Sequence, residues 1–272
     1  MGTLYLVATP IGNLEDVTLR ALRVLKEAGL IAAEDTRTAR KLLSRYDIHT
    51  PLTSYNDRNK RQKTSVILER LAQGDVALVS EAGTPAISDP GQDLVRAAYE
   101  AGASVVPVPG PSAITAALAV SGLSTRTFTY LGFLPRQAAA RRRLLRSLAE
   151  REETLVAFEA PHRLRDCLVD IQQSLGDREI AVCRELTKLY EEVFRGRVSE
   201  ALRHFAEPRG EFTLVIGSAP AASGDADIPD SVIVEMRRLR EEGVGTQEAV
   251  VRLAQRCGLS RRRLYRLWLD LE

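Results

Sequence analysis

Short apolar runs alternate with amphipathic helical patterns through the first half of this chain, and that alternation restricts the fold more than any other feature. Runs rich in Val, Leu, Ile and Ala occupy residues 4–8, 30–34, 76–80, 104–107 and 127–131. Helical patterns occupy 19–27, 39–46, 60–73, 92–101 and 112–121. Strands and helices in this succession predict a mostly parallel sheet covered by helices. Gly29, Gly74 and Gly102 stand just past three of the helical patterns, where a left-handed C-cap is expected.

The pattern breaks at Gly132-Phe133-Leu134-Pro135, which reads as the hinge to a second unit. A basic helix at 137–149, a strand at 154–158 and a helix at 164–175 follow, then strands at 179–184, 190–197 and 211–216, with a helix near 200–205. Residues 218–229 are rich in Ala, Ser, Gly, Asp and Pro and read as a linker. Three short helical patterns close the chain at 230–241, 246–256 and 260–269, with Thr246 and Ser260 placed as N-caps. The expected organisation is an α/β domain over 1–131, a smaller α/β domain over 132–217, a linker over 218–229 and a basic helical extension over 230–272.

Composition excludes several classes. No apolar run approaches the roughly 20 residues of a membrane span. The first strand begins at Leu4 and leaves no room for a signal peptide, so a cytoplasmic protein is expected. Cys167, Cys183 and Cys257 are too few and too scattered for a disulfide framework or a zinc site, and are expected as small buried hydrophobes. Net charge is only +2, but arginines cluster at Arg136, Arg141, Arg142, Arg143 and Arg146, and again at Arg261, Arg262, Arg263 and Arg266. The second cluster interleaves with Leu264, Tyr265, Leu267 and Trp268, which suits a helix with one packed face and one face offered to phosphate. With the break at Cys257-Gly258-Leu259-Ser260, the tail has the outline of a helix-turn-helix; a packing appendage or dimer arm is the alternative.

Four loops follow first-domain strands: Thr9-Pro10-Ile11-Gly12-Asn13, Glu34-Asp35-Thr36-Arg37, the stretch from Ser80 to Gly91, and Pro109-Gly110-Pro111-Ser112-Ala113. In a parallel sheet all four gather at the carboxyl edge, where ligands bind. No G-x-G-x-x-G follows a strand and no G-x-x-x-x-G-K-[ST] is present, so neither a dinucleotide nor a nucleoside triphosphate is the favoured ligand. Asp35 and Thr36 also suit a plain helix cap. His162 is read as a surface residue at a helix start.

These loops, with Phe158-Glu159-Ala160-Pro161-His162-Arg163, Cys183-Arg184-Glu185-Leu186-Thr187-Lys188 and Gly210-Glu211-Phe212, resemble the tetrapyrrole methylase superfamily, and within it the branch that modifies ribosomal RNA. The resemblance runs from about Thr3 to Ile216, with Glu81 and Ala160 departing mildly from the usual Asp and Ser. It implies S-adenosylmethionine held in a cleft between two α/β domains. Pro10 would close the first loop, and Ala82, Gly83, Thr84, Pro85 and Ile87 would line the methionine and ribose region. Ser112 and Ala113 would lie beneath the cofactor at a helix N-terminus, while Phe158, Leu186 and Thr213 would frame the adenine. The implied reaction is 2′-O-methylation of a cytidine ribose in small-subunit ribosomal RNA near the decoding centre, by a homodimer and without a metal.

Methyl transfer from a sulfonium chiefly requires alignment, whereas a ribose hydroxyl is a weak acid helped by a base or by a cation near the forming alkoxide. The candidates are Asp35, Glu159, Glu185 and Lys188. Lys188 with Glu185 comes first, as a base if its pKa is lowered or as an oxyanion partner if charged. Asp35 and Arg37 are candidates for positioning substrate, and Arg141, Arg142, Arg262 and Arg263 for contacting RNA. Two other readings stay open: carbon methylation of a tetrapyrrole, and a non-catalytic RNA-binding factor using the same cleft.

Overall fold

A computed structural model describes residues 1–219, 229–257 and 261–271, with the side chains at 255, 261–263, 266 and 270 outside that description. Most of the expected linker (220–228) and the expected N-cap Ser260 lie outside the described residues. The chain divides into two compact units, Met1–Gly217 and Ser218–Glu272.

The first unit holds two five-stranded sheets. In the first, β1 (Thr3–Val7), β2 (Leu30–Ala33), β3 (Leu52–Ser54), β4 (Val76–Val79) and β5 (Ser104–Val108) lie in the order β3-β2-β4-β1-β5, every pair parallel. β2 and β4 are buried at every position, as unbroken apolar runs must be between two helical layers. On one face α1 (Leu19–Glu27) and α2 (Thr36–Arg45) close a core around Leu25, Ile31, Leu42 and Val79. On the other, α3 (Lys60–Leu71) and α4 (Gln92–Glu100) cover Leu4, Ile67, Leu78 and Leu94.

The second sheet comprises β6 (Phe128–Phe133), β7 (Thr154–Glu159), β8 (Glu179–Arg184), β9 (Glu192–Arg197) and β10 (Phe212–Ile216), in the order β6-β7-β10-β8-β9. Only β6 and β7 run parallel. α6 (Ala138–Ser147), α7 (Pro161–Leu175) and α8 (Val198–His204) pack on one face around Leu145, Leu155, Leu164 and Leu214. The opposite face is covered by α5 (Ala113–Ser121), whose Ala117 and Leu118 meet Val156, Ala181 and Cys183. The helix that follows the last strand of the first sheet thus serves as a wall of the second, and joins the two halves.

Several expectations are corrected. The strand expected at 127–131 forms, but it pairs with β7 and opens the second sheet. Gly132, at φ +64°, marks an irregularity within β6 rather than a hinge. The chain therefore changes sheet between Ser121 and Phe128. Gly102 adopts the left-handed conformation at φ +78°, whereas Gly29 and Gly74 do not. Helix α1 already ends at Ala28 in extended conformation, so the chain enters β2 directly with the Gly29 amide donating to the Asp75 carbonyl. Cys167 and Cys183 are buried, but Cys257 is exposed.

The second unit contains α9 (Asp230–Glu241), α10 (Thr246–Cys257) and α11 (Arg261–Asp270) around a core of its own, including Met236, Leu253, Leu264 and Trp268. Thr246 is the first helical residue, not the cap, since the Gly245 carbonyl accepts from Ala249. Among the described residues, no helix is long and apolar enough to cross a membrane.

Candidate functional site

All loops that leave the carboxyl ends of a parallel sheet emerge on one side, and three of those anticipated are tied together there. Thr9 and Gly83 exchange both backbone hydrogen bonds, at 2.9 and 3.0 Å. The Ser80 hydroxyl donates to the carbonyls of Ala82 and Gly83, and the Glu81 amide donates to the Glu34 carboxylate at 3.1 Å. Three residues of the 80–91 loop hold left-handed backbone, Gly83 at φ +78°, Ala86 at +66° and Ser88 at +64°. Such a conformation costs about 1–2 kcal/mol at a residue bearing a Cβ, and strain of this kind gathers at binding and catalytic sites.

The two halves meet at Gly12. A Cβ built there would fall 2.5 Å from Lys188 Cγ, 2.7 Å from Thr187 Oγ1 and 2.9 Å from the Leu186 carbonyl oxygen. The opposing turn is itself strained, with Glu185 at φ +50° and Thr187 at +68°. Between them lies an open groove of about 330 Å³, lined by Ile11, Gly110, Pro111, Ser112, Ala116 and Thr187 among others. Its floor is the N-terminus of α5, where Ser112 makes no side-chain cap and the first-turn amides lack intrahelical acceptors. The Thr187 hydroxyl is buried without a hydrogen-bond partner. An uncapped helix N-terminus, an unsatisfied hydroxyl and apolar walls suit a ligand with a carboxylate, hydroxyls and a flat apolar part.

Of the residues anticipated for the cofactor, Ser112 lines this groove. Pro10 precedes Ile11 in the first loop; Ala82, Thr84, Pro85 and Ile87 belong to the strained loop; Ser112 and Ala113 begin α5. Leu186 packs in one cluster with Ile11 and Ala113. Thr213 pairs with Phe158 across β10 and β7, so both point to the same face of the sheet. Phe158 meets Tyr130 and Phe133 edge-on at 5.3 and 5.6 Å, and Tyr130 shares a 2.7 Å hydrogen bond with the Ser88 hydroxyl.

The anticipated chemical groups separate. Lys188 Nζ lies 2.9 Å from both Glu185 and Glu211. Partial burial works to lower its pKa, but the hydrogen bonds to the two carboxylates outweigh it and the net direction is up. Lys188 is therefore a fixed cation, which removes the reading in which a lowered pKa makes it a base. For Glu185, burial is opposed by the Glu211 amide and Lys188, and its pKa is lowered. Asp35 caps α2 through the Arg37 amide at 2.7 Å and pairs with the Arg37 guanidinium at 2.7 Å. Those hydrogen bonds pull its pKa to about 2, so at neutral pH it is an ionised cap with little basicity.

Glu159 is corrected. It follows Phe158 on β7 and so points to the other face, where its wholly buried side chain lies 3.3 Å from Arg163; it is a structural carboxylate under α7. Arg141 is corrected likewise. It is 4% exposed and ion-paired to Asp170 at 2.6 Å, while Arg142 is partly exposed and reaches the same carboxylate at 3.4 Å. Arg141→Ala leaves Asp170 buried and largely unpaired, a loss of about 3 kcal/mol. At this chain length that corresponds to a melting temperature roughly 6–12 °C lower. Thermal melting should show this drop, and any RNA affinity of the surviving folded variant should keep its salt dependence. The side chains of Arg262 and Arg263 lie outside the described residues.

One further group stands in the strained loop, where the sequence suggests only pocket scaffolding. Asp89 is half-buried at the end of the strained loop, and burial followed by the neighbouring Glu34 charge raises its pKa to about 6, against a weaker opposing hydrogen bond from Ser80. Glu34 is raised too, mainly by burial, with Glu81, Asp57 and Asp35 adding to it against the Glu81 amide. A carboxylate that titrates near neutrality can accept a proton.

Comparison with known proteins bears on this architecture. Residues 3–202 match a family described as tetrapyrrole (corrin/porphyrin) methylases. The chain is 48% identical over 276 residues, 100% of its length and 99% of the relative's, to a Synechocystis protein named ribosomal RNA small subunit methyltransferase I. It is 52% identical to a Thermotoga maritima protein of the same name, over 79% of this chain and 98% of that one. A Haemophilus influenzae protein, also so named, is 40% identical over 98% of this chain and 96% of its own length. Among solved structures, uroporphyrin-III C-methyltransferase from Thermus thermophilus superposes with a TM-score of 0.57 at 21% identity, over 79% of this chain and 97% of that one. At that identity the likeness is one of fold.

Proposed function

The chain belongs to the tetrapyrrole methylase family, and from that premise we propose that it transfers the methyl group of S-adenosylmethionine to small-subunit ribosomal RNA, at the 2′-oxygen of a cytidine near the decoding centre. The observation that carries the cofactor assignment is the groove above α5, where an uncapped helix N-terminus and the unpartnered Thr187 hydroxyl face apolar walls from both halves. The assignment of small-subunit ribosomal RNA rests on the names of the relatives, and that of a cytidine 2′-oxygen on the resemblance of the loop motifs.

Bound there, S-adenosylmethionine supplies an electrophilic methyl group. Ser112 and Ala113 hold its carboxylate at the positive end of α5. Ala82, Gly83, Thr84, Pro85 and Ile87 form one wall, with Pro10 closing it, and Phe158, Leu186 and Thr213 form the adenine side. The ordered loops exclude water and keep the acceptor aligned. Asp89 takes the proton from the ribose hydroxyl, because its raised pKa matches neutral operation. Lys188, permanently charged and braced by Glu185 and Glu211, stabilises negative charge on the acceptor oxygen. The helical C-terminal unit serves as a further RNA contact.

The deciding experiment supplies methyl-labelled S-adenosylmethionine and small ribosomal subunits from a strain lacking this protein. Label should enter the small-subunit RNA at one cytidine and leave its 3′ phosphodiester resistant to alkali. Label on a base would overturn the 2′-oxygen assignment, and transfer to a tetrapyrrole but not to subunits would overturn the RNA assignment.

A further inference from the structure

The charge of this chain is nearly balanced overall, but not along the segment from the end of β2 into α3. Residues 34–63 carry eight cations (Arg37, Arg40, Lys41, Arg45, Arg58, Lys60, Arg61 and Lys63) against Glu34, Asp35, Asp47 and Asp57. Because β2 and β3 run parallel, the helices that follow them both start at the carboxyl edge of the first sheet, with Arg37 and Arg40 on α2 at one face of the sheet and Arg58 and Arg61 at the start of α3 on the other. All four are exposed. Arg37 pairs with Asp35, and Lys60 with Asp57 and Asp93. Among the described residues, the guanidinium groups of Arg40, Arg58 and Arg61 have no ion-pair partner.

Neither α2 nor α3 has an acidic residue in its first turn, although acids are favoured there and cations disfavoured by about 0.3–1 kcal/mol each. At α2 the Asp35 cap supplies the one carboxylate, and the first turn of α3 has none. What results is a positive field in which guanidinium groups and helix dipoles have the same sign. The edge is continuous with the cleft through Glu34-Asp35-Thr36-Arg37.

We propose that Arg40, Arg58 and Arg61, with Arg37, form a surface that grips the phosphodiester backbone of the RNA flanking the target nucleotide. The inference rests on the functional reading above, since a ribose held in the cleft brings its neighbouring phosphates to this rim. Phosphate contacts of this kind orient a nucleic acid without reading its bases.

The test compares the full-length protein with the Arg58→Ala/Arg61→Ala double variant. Binding to small subunits from the deficient strain, and to polyuridylate, is measured across a salt series. The variant should bind both at least tenfold more weakly, and its slope of log affinity against log salt should be shallower by about 1.5, near the 0.7–0.9 expected per lost phosphate contact. S-adenosylmethionine affinity and turnover at saturating subunits should be unchanged. Equal affinity and slope in the two proteins would overturn the surface, as would a loss seen only with anionic lipid vesicles. Failure of the unmodified protein to methylate subunits would instead sink the functional reading, and the polyuridylate comparison would still decide the surface.

Discussion

Asp89→Asn should make the protein more stable and nearly inactive. The raised pKa means that the folded state holds the Asp89 proton more tightly than the unfolded chain does. Stability therefore falls as pH rises from about 4 through about 6, and the deficit persists above that range. A neutral amide has no such deficit. After discounting for solvent screening of a half-buried group, the variant gains about 1 kcal/mol at pH 7, or roughly 2–4 °C in melting temperature. The gain should vanish below pH 4. Turnover should move the other way, falling about 10²–10⁴-fold, the range attributed to a general base. The unmodified enzyme should lose activity below an apparent pKa near 6, and the variant should not share that limb. A variant with normal turnover, or with the same acid limb, would remove Asp89 from the chemistry. The paired readout matters because a merely structural carboxylate would not give opposite signs.

Lys188→Met should lower turnover about 10²–10³-fold while cofactor affinity changes less than threefold, as found when one charge-stabilising donor is removed. The two carboxylates that bracket the ammonium keep its pKa above the ordinary lysine value, despite partial burial. No basic limb from Lys188 is therefore expected below about pH 10, and single-turnover rates across pH 6–9 would check this. Lys188→Arg should recover part of the loss, because charge is retained but the compact ammonium is not. If Lys188→Met weakened cofactor binding as much as turnover, the residue would belong to the groove wall instead.

Much of the fold was legible because apolar period and turn residues are local properties. The helix at Leu19–Glu27 and the strand at Glu179–Arg184 coincide with their expected bounds. β3 was missed because three half-buried residues on a sheet edge carry too short a pattern. The sheet that β6 would join was not legible, since its partner, 26 positions later in the register, is set by packing. Two errors had signals within reach. Strand alternation puts Glu159 opposite Phe158, so both could not face the cleft. Arg141 shares a helical face with Leu145 and Leu148, both buried, and that spacing turns it inward. Asp89 had no such signal, because its proton affinity depends on burial and on Glu34 in a different loop.

The strand order of the first sheet also sets a timetable for synthesis. β1 lies between β4 and β5, so neither hydrogen-bonding neighbour exists when it leaves the ribosome. At about 5–20 residues per second, the roughly 70 residues separating β1 from β4 take on the order of 3–14 s to make. Throughout that interval Leu4 and Val7, both fully buried in the finished protein, have no native partner strand. The strand that joins β4 to β5 is thus the one that waits longest in this sheet for a first partner.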